Sequence, residues 1–447
     1  MYIRRTLLHT IRRRVGILSA LLGGISVLCL PFAVSAQDAV YATELTGASP
    51  SAPSQNLQAP TRMVSFSELE DTLRTHPALN ALNLSAEANR HRAEGALGLP
   101  DPVVSLQLNN VPLFDPSFSE YLPSNKAVGI RQALPSRSER KANSLKSLRQ
   151  ANAQDFERNE HFARLRGQLL VYLLEKRSLE TQRDYARERQ SKYDELAEII
   201  DIEINAGRPL VFRLAKVDVE RTEVSRTLAE LEGREAQINA ELINLLGFIP
   251  DTEVPALTRA PWTGNALAFY GVRVADAAVD VSDADVQRAE ADFKPDWGVN
   301  LTYQQRESGQ GLRSNFDGED WVSGGVSFSI PLWADKRQEP NLRAAKTDRN
   351  AALARRTAIA RQLQSEWTRY DARRETAATN IRIIEQKIKA IEDQTAAQLI
   401  TYETGTGDYS PIIDGEIAVL MLRAEIVKEQ CLQDQMVAKM NSLLVTS

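Results

Sequence analysis

The chain has 447 residues, with 54 basic and 59 acidic side chains and a formal net charge of −5. Charge this balanced, without a polybasic block beyond the first fourteen residues, excludes nucleic acid as a partner. Its two cysteines, Cys29 and Cys431, lie far apart, and losing the first to processing would leave no pair for an intrachain disulfide.

Arg4, Arg5, Arg12, Arg13 and Arg14 precede an apolar run over residues 15–34, closed by Ser35-Ala36 before Gln37. This order predicts a secretory signal peptide over residues 1–36, with an uncleaved anchor helix as the alternative. Cys29 follows Leu28, where a lipoprotein signal wants a small residue, so lipidation is disfavoured. Residues 37–62 are rich in Ala, Ser, Pro and Gln and read as a flexible leader. Beyond the signal no stretch approaches the roughly twenty apolar residues of a membrane-spanning helix. Any crossing must be made by strands.

Ser67 and Glu70 have capping-box spacing ahead of Leu69 and Leu73, which predicts a helix over residues 67–97 with a kink or fresh start at Pro77. Two segments of alternating character follow: Val104, Leu106 and Leu108, then a weaker one at Val128 and Ile130. Residues 138–205 hold no Pro and only Gly167, with apolar residues at mostly helical spacing from Leu145 and Leu148 through Phe156, Leu169 and Leu196 to Ile200. At 1.5 Å per residue that is a rod of about 100 Å. After a tight turn at Gly207, a shorter helix runs from Val211 to Leu246, ended by Gly247 and Pro250.

The same order then returns. Residues 265–293 predict a short helix, and Trp297, Val299, Leu301 and Tyr303 alternate with polar residues, as do Val322, Val326, Phe328 and Ile330. A second rod spans residues 335–404 with a stripe at Leu363, Trp367, Tyr370, Ile384 and Ile391. The turn at Gly405 leads to a last helix over residues 412–444. The chain is therefore a duplication at about two hundred residues: a first repeat over 63–250, a linker over 251–264 and a second repeat over 265–447. In each repeat the two short helices together match one rod. Four alternating strands of this length suit a membrane β-barrel, but the smallest such barrel has about eight. The barrel must be shared between chains. Tyr121, Trp297, Trp321 and Trp333 lie near strand ends, where an interfacial aromatic girdle would place them.

Catalytic chemistry is not indicated, and neither cofactor nor metal site is expected. Ser138 and Lys141 have Ser-x-x-Lys spacing but open a charged helix. His76, His91 and His161 have no second ligand at i+4. No phosphate-binding Gly-rich loop is present.

The residues now carry a family resemblance. Leu99-Pro100-Asp101-Pro102, Gly129-Ile130-Arg131-Gln132-Ala133-Leu134-Pro135, Ile330-Pro331-Leu332 and the turn Tyr402-Glu403-Thr404-Gly405 stand where TolC-type outer-membrane efflux proteins have such motifs. Arg337-Gln338-Glu339-Pro340 is similar to the branch serving heavy-metal efflux pumps. The resemblance implies a mixed, mainly α fold: a long α-helical coiled-coil barrel plus four transmembrane β-strands per chain forming a shared trimeric β-barrel. It implies a homotrimer in the outer membrane of a Gram-negative bacterium with its helices in the periplasm. There it would dock a periplasmic adaptor and an inner-membrane pump, of RND type, and act as an efflux duct rather than an enzyme. A periplasmic adaptor or coiled-coil scaffold is the alternative reading. The gate would lie at the tip turns of Gly207 and Gly405, with Tyr402, Asp408, Asp414 and Glu416 as pore-entrance candidates. Of the family's Arg and two Asp at the tip, only the second Asp is matched, by Asp414; the others fall on Gly407 and Pro411.

Overall fold

The computed structural model describes residues 60–121, 123–310 and 315–445. The expected signal peptide, Cys29 and nearly all of the leader lie outside these residues. Thr61 and Arg62, expected to end the leader, instead belong to β1 (Thr61–Met63). β1 pairs in parallel with β4 (Ile249–Asp251), so the start of the first repeat is tied to its end.

α1 (Phe66–Arg74) opens on a capping box two residues earlier than expected. Ser65 caps it: the Glu68 backbone N–H donates to Ser65 Oγ at 3.4 Å, and the Ser65 N–H donates to the Glu68 carboxylate at 2.7 Å. The earlier start brings Phe66 into the first turn, where it packs on the cluster of Leu69, Leu73 and Leu169. Glu70 instead pairs with Arg166 of the first rod. α2 (Pro77–Gly95) is a fresh helix with His76 as cap and Pro77 at its first position, where the missing N–H costs nothing.

The first rod is α3 (Arg137–Asn205), capped by Ser136, and the second is α6 (Gln338–Glu403). Their returning helices are α4 (Val211–Leu246) and α7 (Ser410–Leu443), and α5 (Tyr270–Ala291) opens the second repeat. α7 begins two residues before the expected start because Pro411 fits its first turn. α6 begins three residues late, after a run of turns through Trp333–Arg337.

Ion pairs trace how short helices stack end to end along the rods. On one flank of α3, Arg90 of α2 meets Asp155 at 2.5 Å, and further along Arg183 meets Glu235 of α4 at 2.7 Å. On the other flank, Lys146 meets Asp285 of α5 at 2.6 Å and Lys192 meets Glu416 of α7 at 2.8 Å. α5 and α7 also pack on α6, where Arg356 meets Asp276 at 2.9 Å and Arg423 meets Glu392 at 3.3 Å. The columns therefore run α2 with α4, then α3, then α5 with α7, then α6. α3, flanked on both sides, buries 17 residues; α6, flanked on one, buries four. The four are Ala352, Trp367, Ala377 and Ile384, so the expected stripe does face the core. Leu148 and Phe156 of α3 depart from their expected stripe and remain exposed.

Candidate channel wall and tip

At the opposite end of the rods from the Gly turns, β2 (Val103–Asn109), β3 (Asn125–Leu134), β5 (Trp297–Gln305) and β8 (Trp321–Phe328) form one antiparallel sheet in the order β2-β3-β5-β8. A short hairpin, β6 (Gly309–Gln310) with β7 (Asn315–Phe316), interrupts the connection between β5 and β8. Register aligns the apolar residues of all four strands. Leu106, Val128, Tyr303 and Val322 form one row, and Val104, Ile130, Leu301 and Gly324 the next. With Leu108, Trp297, Val299, Val326 and Phe328 they share a face on which the large apolar side chains are 43–80% exposed. A soluble sheet would bury such a face.

The other face carries Ser105, Gln107, Asn300, Thr302, Ser323 and Ser327. Gly129, Gly298 and Gly325 lie on it too, where an added Cβ would come within 2.7 Å of Ser105 Oγ, Ser327 Oγ and Asn300 Oδ1 respectively. Neighbouring polar side chains lean into the space that these glycines leave.

Two expectations are corrected here. Ile330 lies beyond β8: its register partner would be Pro295, which has no N–H to donate, and the ladder ends where Ser329 and Asp296 exchange hydrogen bonds at 2.9 Å. Trp321 pairs with Gln304 and so belongs to the polar face, where the Arg306 guanidinium stacks on it at 3.8 Å. Trp297 does sit at the apolar edge, 5.2 Å from Phe328. Trp333 is exposed beyond the strand end, and Tyr121 is half-buried in the β2–β3 loop.

At the other end both rods stop in the same way. Gly207 (φ +90°) and Gly405 (φ +76°) adopt the left-handed conformation that ends a helix. Arg208 N–H donates to Glu203 O and Thr406 N–H to Thr401 O, both at 3.1 Å. These turns bring together most of the expected entrance residues and add cationic partners that sequence reasoning missed. Asp408 lies 3.7 Å from Arg208 of the other turn. Glu416 holds Lys192, which also meets Glu195 at 3.1 Å. These bonds, Glu416 first, raise the Lys192 pKa. Tyr409 donates to Glu195 at 3.3 Å and packs its ring, tilted, against Tyr402 with centroids 5.1 Å apart. Burial and then Glu195 raise the Tyr409 phenol pKa. Asp414 is exposed and makes no ion pair. Beneath the turns, Tyr193, Leu196 and Ile200 of α3, Val217 and Val224 of α4, and Ile413 and Ile417 of α7 form one buried cluster. The repeat itself was the available signal for Arg208, which occupies the position of Thr406 in the twin turn. Lys192 had none.

Among the described residues no helix is long and apolar enough to cross a membrane, and no three His, Cys, Asp or Glu side chains gather as metal ligands. Residues 271–444 match the family of outer membrane efflux proteins. The match covers most of the second repeat, and the first repeats its order of elements. Comparison with curated sequences gives no match. The fold is shared with solved structures. VceC of Vibrio cholerae is 16% identical over 84% of this chain and 95% of its own, with a TM-score of 0.67. CusC is 15% identical over 85% and 92%, with a TM-score of 0.69. The open-state MtrE channel of Neisseria gonorrhoeae is 17% identical over 84% and 88%, with a TM-score of 0.68.

Proposed function

We propose that three copies of this chain close one twelve-stranded barrel in the outer membrane and one helical tunnel in the periplasm, forming the exit duct of a tripartite efflux pump. The observation that carries this reading is the sheet β2-β3-β5-β8, apolar and exposed on one face, polar on the other, and open at both edges. An open edge beside an exposed apolar face calls for a partner strand. An even number of antiparallel strands leaves β2 and β8 running oppositely, so β8 of one copy meets β2 of the next without breaking the alternation. The helices support the same closure, because the uncovered side of α6 fits against the uncovered α2 and α4 column of a neighbour.

In this reading the Gly turns form the tunnel entrance. Arg208 with Asp408, and Lys192 with Glu416, join the two hairpins of one chain and act as its latch. With Asp408 and Glu416 engaged, Asp414 is the acid left to face an entering solute. Exposed Ile202, Val211, Phe212 and Ile400 near the tip supply an apolar docking surface for a periplasmic adaptor. Driving energy belongs to an inner-membrane pump, of RND type in the resemblance. Heavy-metal cargo gains little support. Arg337, Gln338, Glu339 and Pro340 have a sufficient role in starting α6, where Glu339 favours the helix dipole and Pro340 fits the first turn.

Planar-bilayer recording of the purified trimer tests the duct. Discrete conductance steps are expected, with a larger open fraction in the Lys192→Ala, Arg208→Ala double variant. Trimers that never insert into lipid would return the case to a periplasmic adaptor. Insertion with an unchanged open fraction would remove the latch.

A further inference from the structure

The polar face of the sheet has a charge pattern of its own. Its strand positions are Val103, Ser105, Gln107 and Asn109 on β2; Asn125, Ala127, Gly129, Arg131 and Ala133 on β3; Gly298, Asn300, Thr302 and Gln304 on β5; and Trp321, Ser323, Gly325 and Ser327 on β8. No carboxylate is among them. Arg131 is the single charged residue, exposed between Val103 and Asn300, with Gly325 beyond. No hydrogen bond or ion pair among the described residues engages its side chain, and Asp101, just ahead of β2, makes no ion pair either. Arg306 follows β5 on the same parity and is held toward this face by Trp321. Two of the acids near the far end are turned elsewhere: Asp320 accepts from Tyr303 on the apolar face, and Glu307 pairs with Lys126 at 2.7 Å.

Arg131 stands at the helix end of the sheet and Arg306 at the far end, six residues apart by register, or about 20 Å along a strand. Three chains would repeat each arginine around the interior. A low-dielectric wall carrying one sign of charge concentrates solutes of the other sign. We propose that Arg131, reinforced by Arg306, sets the charge preference of the strand channel and makes it favour cargo bearing carboxylate, phosphate or sulfonate groups over bare cations. The inference rests on the shared barrel proposed above. It assigns the exit a sign opposite to that of Asp414 at the entrance.

The test labels cysteines from outside intact cells and does not depend on the tip being open. In a Cys431→Ser background, Thr302→Cys lies on the polar face between the two arginines, and Leu301→Cys lies on the apolar face. Each is treated at low ionic strength with an anionic and a cationic methanethiosulfonate reagent. Thr302→Cys should react with the anionic reagent faster by about tenfold or more. High salt should shrink that ratio, Arg131→Gln should bring it close to unity and Arg131→Glu should invert it. Leu301→Cys should stay unlabelled. Labelling of Thr302→Cys with a ratio that ignores residue 131 would overturn the arginine proposal and leave the duct standing. Labelling of Leu301→Cys in place of, or as well as, Thr302→Cys would overturn the face assignment and with it the barrel.

Discussion

At the corner where β3 turns into α3, Glu139 occupies the third helical position, and its backbone N–H donates to Ser136 Oγ at 3.1 Å. Asp296 is fixed beside it by accepting the Ser136 N–H at 2.9 Å. Burial first, then the charges of Asp296 and Asp292, push the Glu139 carboxyl pKa up, and Arg288 offsets them only in part. A carboxyl whose folded pKa exceeds its unfolded value opposes folding while ionised in both states. That penalty is relieved as pH falls through the folded value toward the unfolded one. Mild acid should therefore raise the amide protection factors at this corner, taken relative to the intrinsic exchange rate at each pH, above their values at neutral pH. Glu139→Gln should raise them at neutral pH and remove their pH response. Faster exchange in the variant at neutral pH would mean that the helix dipole, which favours an acid here, outweighs the two aspartates. Single residues of this kind were only half legible in the sequence. Asp408 and Glu416 could be placed at the tip by their distance from Gly405. Their partners Arg208 and Lys192 lie some two hundred residues away and meet them only through folding.

Elements were far more legible, because periodicity and turn chemistry are local. The period of two at Val299, Leu301 and Tyr303 needs no partner to be seen, nor does a rod without Pro. β1 and β4 escaped notice because three residues carry no period and their pairing spans almost the entire first repeat. The cap of α1 slipped by two because Ser65 with Glu68 and Ser67 with Glu70 offer the same spacing; the packing of Phe66 decides between them. Helix ends also make a paired prediction. Gly405 and Gly233 both have open space around an added Cβ, but Gly405 is left-handed at the end of α6 whereas Gly233 lies inside α4. Conformation alone should separate them. Gly405→Ala should destabilise its turn by about 1–2 kcal/mol, and Gly233→Ala should stabilise its helix by about 0.5–1 kcal/mol. Hydrogen exchange in the turn and in the middle of α4 should move in opposite directions. Two shifts of the same sign would show that contacts with neighbouring chains, rather than backbone preference, govern these positions.

At the scale of the whole molecule, the sheet is the part that the proposed trimer would complete. The helical columns have their own cores around Leu69, Leu169 and Leu242, around Ile200 and Ile413, and around Phe269, Trp367 and Met440. Among the described residues the sheet has no comparable cluster on its apolar face, and in the proposed barrel lipid and neighbouring strands would bury it. Val299 sits between Gln132 and Val326, and Leu301 between Ile130 and Gly324, in the middle of that face. Arginine at either position should cost about 2–4 kcal/mol near the bilayer midplane. The same substitution in water would cost little, because both side chains are already exposed. Val299→Arg with Leu301→Arg should therefore abolish heat-modifiable trimers in the outer-membrane fraction while leaving the far-UV helical signal of the purified chain nearly unchanged. Loss of the helical signal would mean that the rods depend on the barrel to fold. Normal trimers in the membrane would mean that this face does not meet lipid, and the reading of the sheet as a barrel wall would fail.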